Sequence, residues 1–321
     1  MPRILFIVPT DYDALKAKGV DGMILDRAEG GFFERVITVH PIALKSRVID
    51  LDNTHAMHEL GLDVFGKAVR HKLLRAFISP LHLLRVVWVI LGLVRRERID
   101  LIRANDPFWI GLVGMIVAKL SGRPWCISIH ADYDKCMQLT GGGETYTFFG
   151  LQWPARLTSR LVLSSANLVL PIRESLRQWA IANGAPSERI RIIPHGIDSA
   201  ALAEEAEHDV RILFGIAPTK QILSFVGRLS PENYLSDLLE IARRLAMKRD
   251  DFCLVIAGDG GLKSWLRDQL AADSRLDAVI RQVGFQPRGV CFALRRQSAA
   301  SICLMGGFSL IEACLAARPV I

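Results

Sequence analysis

The sequence has no closely paired cysteines, no long apolar run free of charge and no well-formed dinucleotide-binding fingerprint. Each absence narrows what it can be. The six cysteines, Cys126, Cys136, Cys253, Cys291, Cys303 and Cys314, never occur as C-x-x-C, and several lie inside apolar runs. They read as buried thiols of a reducing compartment, which excludes a disulfide scaffold. At the N-terminus, "MPRILFIVPT" offers only about five or six apolar residues before polar ones begin. That is too short for the apolar part of a signal peptide and fits a first buried strand, so a cytoplasmic protein is expected. The most apolar stretch, "AFISPLHLLRVVWVILGLV" (76–94), contains Pro80, His82 and Arg85. A membrane span needs about 20 apolar residues without a buried charge, so this is no span. Around it stand Lys67, Arg70, Lys72, Arg75, Arg95, Arg96, Arg98 and Arg103, against only Glu97 and Asp100. It reads either as a partly buried helix with basic ends or as a basic, apolar surface resting peripherally on an anionic inner leaflet.

Two enzyme and binding classes also fall away. The nearest match to G-x-G-x-x-G, "GDGGLK" (258–263), puts Lys263 where the third glycine belongs, which argues against a dehydrogenase. The basic clusters lack interleaved aromatics and any nucleic-acid motif, so no nucleic-acid partner is expected.

What the sequence does have is length, an apolar half and a regular alternation. Its 321 residues suffice for two cores, and Lys plus Arg exceed Asp plus Glu by 40 to 33, a net +7 that favours anionic partners. Strand-length apolar runs "RILFIV" (3–8), "RVITVH" (35–40), "DLIRA" (100–104), "WCISIH" (125–130), "NLVLP" (167–171) and "IRIIP" (190–194) are separated, in the later part, by helical stretches near 80–97, 108–121, 151–165 and 173–183. After "HGIDSA" the pattern restarts: "QILSFV" (221–226), a helix near 233–248, "FCLVIAG" (252–258), a helix near 261–272, "AVIRQVG" (278–284), a helix near 288–297, and "ASICLM" (300–305). This is parallel α/β architecture in two Rossmann-like domains, 1–198 and 199–321, facing a cleft. The segment "LTGGGETYTFFG" (139–150) reads as a loop.

In open parallel sheets ligands sit beyond the carboxyl ends of strands, so motifs are sought there. "VGRLSPENY" follows the strand 221–226: Gly227 permits close backbone approach, Arg228 offers a planar fork for phosphate, and Asn233 opens the next helix. The alternative is a plain turn with a surface arginine. In "GGFSLIEACLAARPVI" (306–321), Gly306 and Gly307 leave amides uncovered before a helix starting near Phe308, and such amides attract an anion. Glu312 lies one turn further in, placed to accept from a sugar hydroxyl pair or to serve as an ordinary helix carboxylate.

With "IIPHGID", "LVIAGDGGLKSWL", "RIDLIRANDPF" and "ISIHADYDK", these motifs resemble the retaining glycosyltransferases of family 4, also called group 1, which have the GT-B fold. The resemblance implies a metal-independent transferase that moves a sugar from a nucleotide-diphosphate donor, a co-substrate, with no separate cofactor. It implies a glycan or lipid-linked acceptor, in cell-envelope or exopolysaccharide synthesis. The second domain would hold the donor: Arg228 on the diphosphate, Glu312 on the ribose, and Gly227, Asn233 and the amides of Gly306, Gly307 and Phe308 around the phosphate or sugar. The first domain would take the acceptor, with His130 facing the reaction centre and Asp132 near the acceptor.

The sequence departs from that family twice. Asn233 stands where a lysine is usual, and Leu304 where a first glutamate is usual, eight residues before Glu312. These departures leave open a second class, a non-catalytic GT-B-like binding or scaffold protein. The first-domain glycine-rich loop is only partly matched by Gly19 and Gly22. Three D-x-D pairs, Asp11/Asp13, Asp50/Asp52 and Asp132/Asp134, lack the rest of a metal-dependent pattern, so no metal is expected. "RPVI" reads as the start of a further strand, so the second domain is expected to be truncated and this fragment to be poorly soluble or inactive by itself.

Overall fold

The computed structural model describes residues 1–17, 22–43, 45–61, 63, 72–140, 152–194, 196–197, 207–305 and 307–321. The chain divides into two compact units, 1–194 and 195–321. The expected loop at 139–150 falls almost wholly outside the described residues, as do Gly19, Lys67, Arg70, His195 and Gly306. No described helix is long and apolar enough to cross a membrane.

Among the described residues, the first unit is built on a seven-stranded sheet ordered β3-β4-β2-β1-β5-β6-β7. The strands are β1 (Arg3–Ile7), β2 (Arg35–Ala43), β3 (Arg47–Asp50), β4 (His55–Gly61), β5 (Leu101–Asn105), β6 (Trp125–Ile129) and β7 (Leu168–Pro171). All pairs are parallel except β3 with β4. The helices of five residues or more are α1 (Tyr12–Ala17), α2 (Lys72–Arg96), α3 (Trp109–Ser121), α4 (Tyr133–Thr140), α5 (Gln152–Ser165) and α6 (Glu174–Ala182). Strand β1 is central, which explains its unbroken apolar run. Leu5 and Ile7 join Ile37, Val39, Ile102, Val86, Ile90 and Val113 on one face, while Ile4 and Phe6 join Val36, Met57, Ile24 and Phe33 on the other.

The hairpin β3–β4 was not legible in the sequence. "HAMHELG" carries two histidines and a glutamate, yet the whole strand is buried. Two of its polar side chains find partners: His55 Nδ1 meets Asp52 at 3.1 Å, and Glu59 accepts from the Tyr12 amide at 2.7 Å and Arg47 Nε at 2.5 Å. Conversely, the expected strand 190–194 reduces to a single bridge from Ile190 to Val169.

The second unit holds, among the described residues, a parallel sheet ordered β10-β9-β8-β11. Its strands are β8 (Gln221–Val226), β9 (Phe252–Ala257), β10 (Ile280–Gly284) and β11 (Ala300–Ser301), and its helices α7 (Val210–Phe214), α8 (Leu235–Ala246), α9 (Lys263–Ala272), α10 (Ser274–Val279), α11 (Arg288–Gln297) and α12 (Phe308–Leu315). Strand β10 begins two residues later than expected because the Asp273 carboxylate accepts from the amides of Arg275 (3.1 Å) and Leu276 (3.3 Å) and so starts a helix there. The expected strand over 300–305 shortens to two residues. Past it, Ser301 and Cys303 donate to the carbonyls of Pro319 and Ile321 at 2.9 and 2.7 Å, and Ile321 donates back to Ser301, so "PVI" runs parallel beside β11.

Candidate functional site

The chain of the second unit runs from β8 outward through β9 to β10, then returns to lay β11 on the other side of β8. The loops after β8 and β11 therefore leave the sheet in opposite senses. Between them lies the switch-point crevice of an open α/β sheet, where ligands bind. The two lips are tied together: Ser309 Oγ donates to the Val226 carbonyl at 2.7 Å, and below them the buried hydroxyls of Ser224 and Ser301 meet at 2.9 Å. This places the start of α12 beside Gly227 and Arg228.

Each lip has a definite shape. Arg228 is exposed, and its guanidinium has no side-chain partner among the described residues. The Asn233 amide donates to the Arg228 carbonyl at 2.7 Å. Asn233 thus does not open the next helix, as expected from sequence. It closes a 3-10 turn (Pro231–Asn233), Tyr234 follows with φ 55°, and α8 starts at Leu235. The "GDGG" stretch packs against the same loop. A Cβ on Gly258 would lie 1.9 Å from the Gly227 carbonyl oxygen, and one on Gly260 2.4 Å from that of Leu229. The glycine requirement for close approach is thus at 258 and 260, whereas Gly227 has only ordinary contacts at its Cβ position. On the other lip Gly307, with φ 73°, caps α12, and Phe308 is the first helical residue. First-turn amides have no acceptor within their own helix, and the helix dipole adds positive potential there.

Glu312 is held on both oxygens. Arg288 Nε donates to Oε1 at 2.9 Å and Arg295 reaches Oε2 at 3.4 Å. Arg295 also donates to Ser309 Oγ at 3.1 Å. It is 1% exposed, the largest fully buried side chain described, and burial pulls its pKa downward while Glu312 opposes the shift. Neither arginine was singled out from sequence. The signal was there: seven residues apart on one helix, both share the face of Cys291 and Phe292, which is buried. A charge on an apolar stripe implies a buried partner.

In the first unit His130 is half-buried and directly follows β6. Asp132 accepts from the Lys135 amide at 3.1 Å and so caps α4. Asp134 accepts from Trp179 Nε1 at 2.7 Å, and Tyr133 packs between Phe108 and Trp179. In the other D-x-D pairs, Asp11 accepts from the Ala14 amide, Asp13 pairs with Arg47, and Asp52 accepts from Thr54 and His55. No cluster of three or more candidate metal ligands occurs among the described residues.

The comparisons with known proteins agree with this layout. The family model "Glycosyl transferase 4-like domain" matches residues 14–196, and "Glycosyl transferases group 1" matches residues 210–321. The chain belongs to the group 1 glycosyltransferases. This glycosyltransferase is 27% identical over 267 residues to a 2-deoxystreptamine glucosyltransferase of Streptomyces kanamyceticus, covering 77% of the chain and 67% of that protein. It is 25% identical over 304 residues to a 2-deoxystreptamine N-acetyl-D-glucosaminyltransferase of Streptomyces fradiae, covering 87% and 66%. The chain thus spans about two thirds of the length of these relatives. Its GT-B fold matches Anabaena HepE in complex with UDP and glucose, at TM-score 0.68 and 16% identity over 100% of this chain and 80% of that one. It also matches sucrose-phosphate synthase of Thermosynechococcus elongatus, at TM-score 0.69 and 15% identity with the same coverage. At the glycosyltransferase's two departures from its family, Asn233 braces the loop that carries Arg228, and Leu304 packs on the apolar cluster formed by Phe225, Leu229, Leu254 and their neighbours.

Proposed function

We propose that the protein transfers a sugar, with retention, from a nucleotide-diphosphate donor bound at the β8/β11 crevice. The observation that carries this reading is the hydrogen bond from Ser309 to the end of β8, which sets the N-terminus of α12 beside an arginine with no internal partner. A diphosphate leaving group carries growing negative charge. Arg228 and the amides at Gly307 and Phe308 would meet it, with no protein nucleophile required, and the proton of the acceptor hydroxyl would leave on a phosphate oxygen of the departing diphosphate. Gly307 and Phe308 line the proposed anion seat, with Gly306 assigned to it from the sequence, and Glu312, fixed by two arginines, keeps lone pairs free for ribose hydroxyls. HepE, solved with UDP, supports a uridine nucleotide as the first donor to try. His130 and Asp132 are assigned to the acceptor side.

A surface supports the choice of acceptor class. Helices α2 and α5 both pack on α3. They expose Leu81, Leu84 and Trp88, and Trp153, Leu157 and Leu161, in stripes of helical spacing near exposed Arg95 and Arg96. An apolar stripe beside basic residues suits an anionic leaflet and a lipid-linked or envelope glycan acceptor.

The test is UDP binding and UDP-sugar turnover, comparing wild type with Arg228→Lys and Arg228→Ala. Losing a preorganised charge-stabilising donor raises the barrier by about 3 kcal/mol, roughly a hundredfold in rate. Since only a guanidinium can hold two phosphate oxygens in a fork, the lysine variant should already be impaired. Unchanged affinity and turnover in both would remove Arg228 from the site.

A second reading, nucleotide-sugar binding without transfer, is favoured by the apolar Leu304 and by Asn233 spending its amide on the Arg228 backbone. UDP-sugar binding with no transfer or donor hydrolysis would select it.

A further inference from the structure

The first unit contains a second place that is rich in hydrogen-bond donors and poor in carboxylates. One row across its sheet reads Thr38, Phe6, Arg103, Cys126 in register, all on one face. Arg103 lies over the Phe6 ring, 5.5 Å from its centroid, and donates through Nε to Ser128 Oγ at 2.9 Å. Arg27, from the turn Asp26–Ala28, lies over the same ring at 5.0 Å and donates to Thr38 Oγ1 at 2.8 Å. Two guanidinium groups thus share one phenyl ring. Neither forms an ion pair among the described residues; each is anchored by a single neutral hydroxyl, and both remain partly accessible to solvent. Asn105, on the same face two residues beyond Arg103, brings a half-buried amide with no side-chain hydrogen bond among the described residues. Glu59, on the same face of β4, is already taken by the Tyr12 amide and Arg47.

Burial and the neighbouring Arg103 together push the Arg27 pKa down to about 10. Two like charges held side by side are stabilised when an anion joins them, and paired guanidinium forks match a tetrahedral oxyanion.

We infer that Arg27 and Arg103, with Asn105, form a binding site for a phosphoryl group, and that this group belongs to the acceptor. The second clause rests on the transferase reading above; the first does not. The site lies within the first unit and uses none of the residues assigned to the donor.

The experiment is calorimetric binding of methyl phosphate, of a hexose phosphate and of a short-chain prenyl phosphate to the full chain saturated with UDP, so that the donor crevice is occupied. Binding is expected for at least one, and Arg27→Gln or Arg103→Gln should weaken it at least about tenfold, as for loss of one charge-assisted contact. The tighter of the two larger probes tells whether the phosphoryl group arrives on a soluble sugar or on a lipid. Arg27→Lys, which keeps charge but not the fork, should fall between. If the arginines were merely packing elements, Arg27→Gln would lower the melting temperature of the free protein. Relief of like-charge repulsion predicts instead a melting temperature unchanged within about 2 °C or raised. No phosphate binding by the UDP-saturated protein, or binding that survives both glutamine substitutions, overturns the site. Failure to bind UDP, with phosphate binding that still depends on Arg27, would instead sink the donor reading and leave this site standing.

Discussion

Replacing Glu312 by glutamine should loosen the helix pair beside the β8/β11 crevice, and the structure sets the size of the effect. The substitution keeps the shape and removes one negative charge. It leaves Arg295, 1% exposed, without a carboxylate, while Arg288, 33% exposed at its side chain, can turn to water. Breaking a buried pair costs about 3–5 kcal/mol because the orphaned charge stays desolvated. The 3.4 Å contact to Arg295 is longer than an ideal one, so the lower end, about 3 kcal/mol, applies. Arg288→Gln removes a partly exposed partner and should cost under about 1 kcal/mol. Arg295→Met fills the space with apolar atoms and lets Glu312 keep Arg288, so it should cost less than Glu312→Gln, and the double variant Arg295→Met/Glu312→Gln should recover much of the loss. Because the chain has two units, a global unfolding curve mixes them. Hydrogen exchange of amides in 288–315 reads the local effect, where 3 kcal/mol is roughly a hundredfold loss of protection. If Glu312→Gln changes protection less than Arg288→Gln does, the buried-pair reasoning is wrong.

Three further outcomes are expected. Gly258→Ala places a methyl 1.9 Å from the Gly227 carbonyl oxygen and should destabilise the second unit by about 2–3 kcal/mol in thermal melts, whereas Gly261→Ala, with open space around its Cβ, should be near neutral. Asp106 is half-buried, and desolvation raises its pKa to about 7 against the amides of Phe108 and Ile110, which lower it. The folded first unit then binds a proton that the unfolded chain has lost. Its stability should be greatest near pH 4 and fall as pH rises to about 7, by at most about 4 kcal/mol, and Asp106→Asn should flatten that dependence, since asparagine tolerates the φ of 76°. Binding to anionic vesicles should weaken with salt, and by about a hundredfold when Arg95, Arg96 and Arg98 are neutralised, at about 1 kcal/mol per charge; equal binding to neutral vesicles would refute a leaflet-facing surface.

Alternating apolar runs of strand and helix length were enough, by themselves, to determine the α/β class, most strands and the restart of the pattern in the second half. Period and apolarity report burial, and burial is what a parallel sheet imposes on every strand. Glycine and arginine at the end of "QILSFV", and the glycines before Phe308, also marked the two loops at the β8/β11 crevice, because strand-end turns and helix starts need local chemistry that spacing reveals. Tertiary structure decided the rest. Strand β4 hides two histidines and a glutamate, and the partners of that glutamate, Arg47 and the Tyr12 amide, come from other elements. The helix after Pro231 starts late because Asn233 finds the Arg228 carbonyl. The Arg288–Glu312–Arg295 set and the two arginines on Phe6 join residues from separate elements. No local pattern encodes such pairings, since they depend on which strand returns beside which.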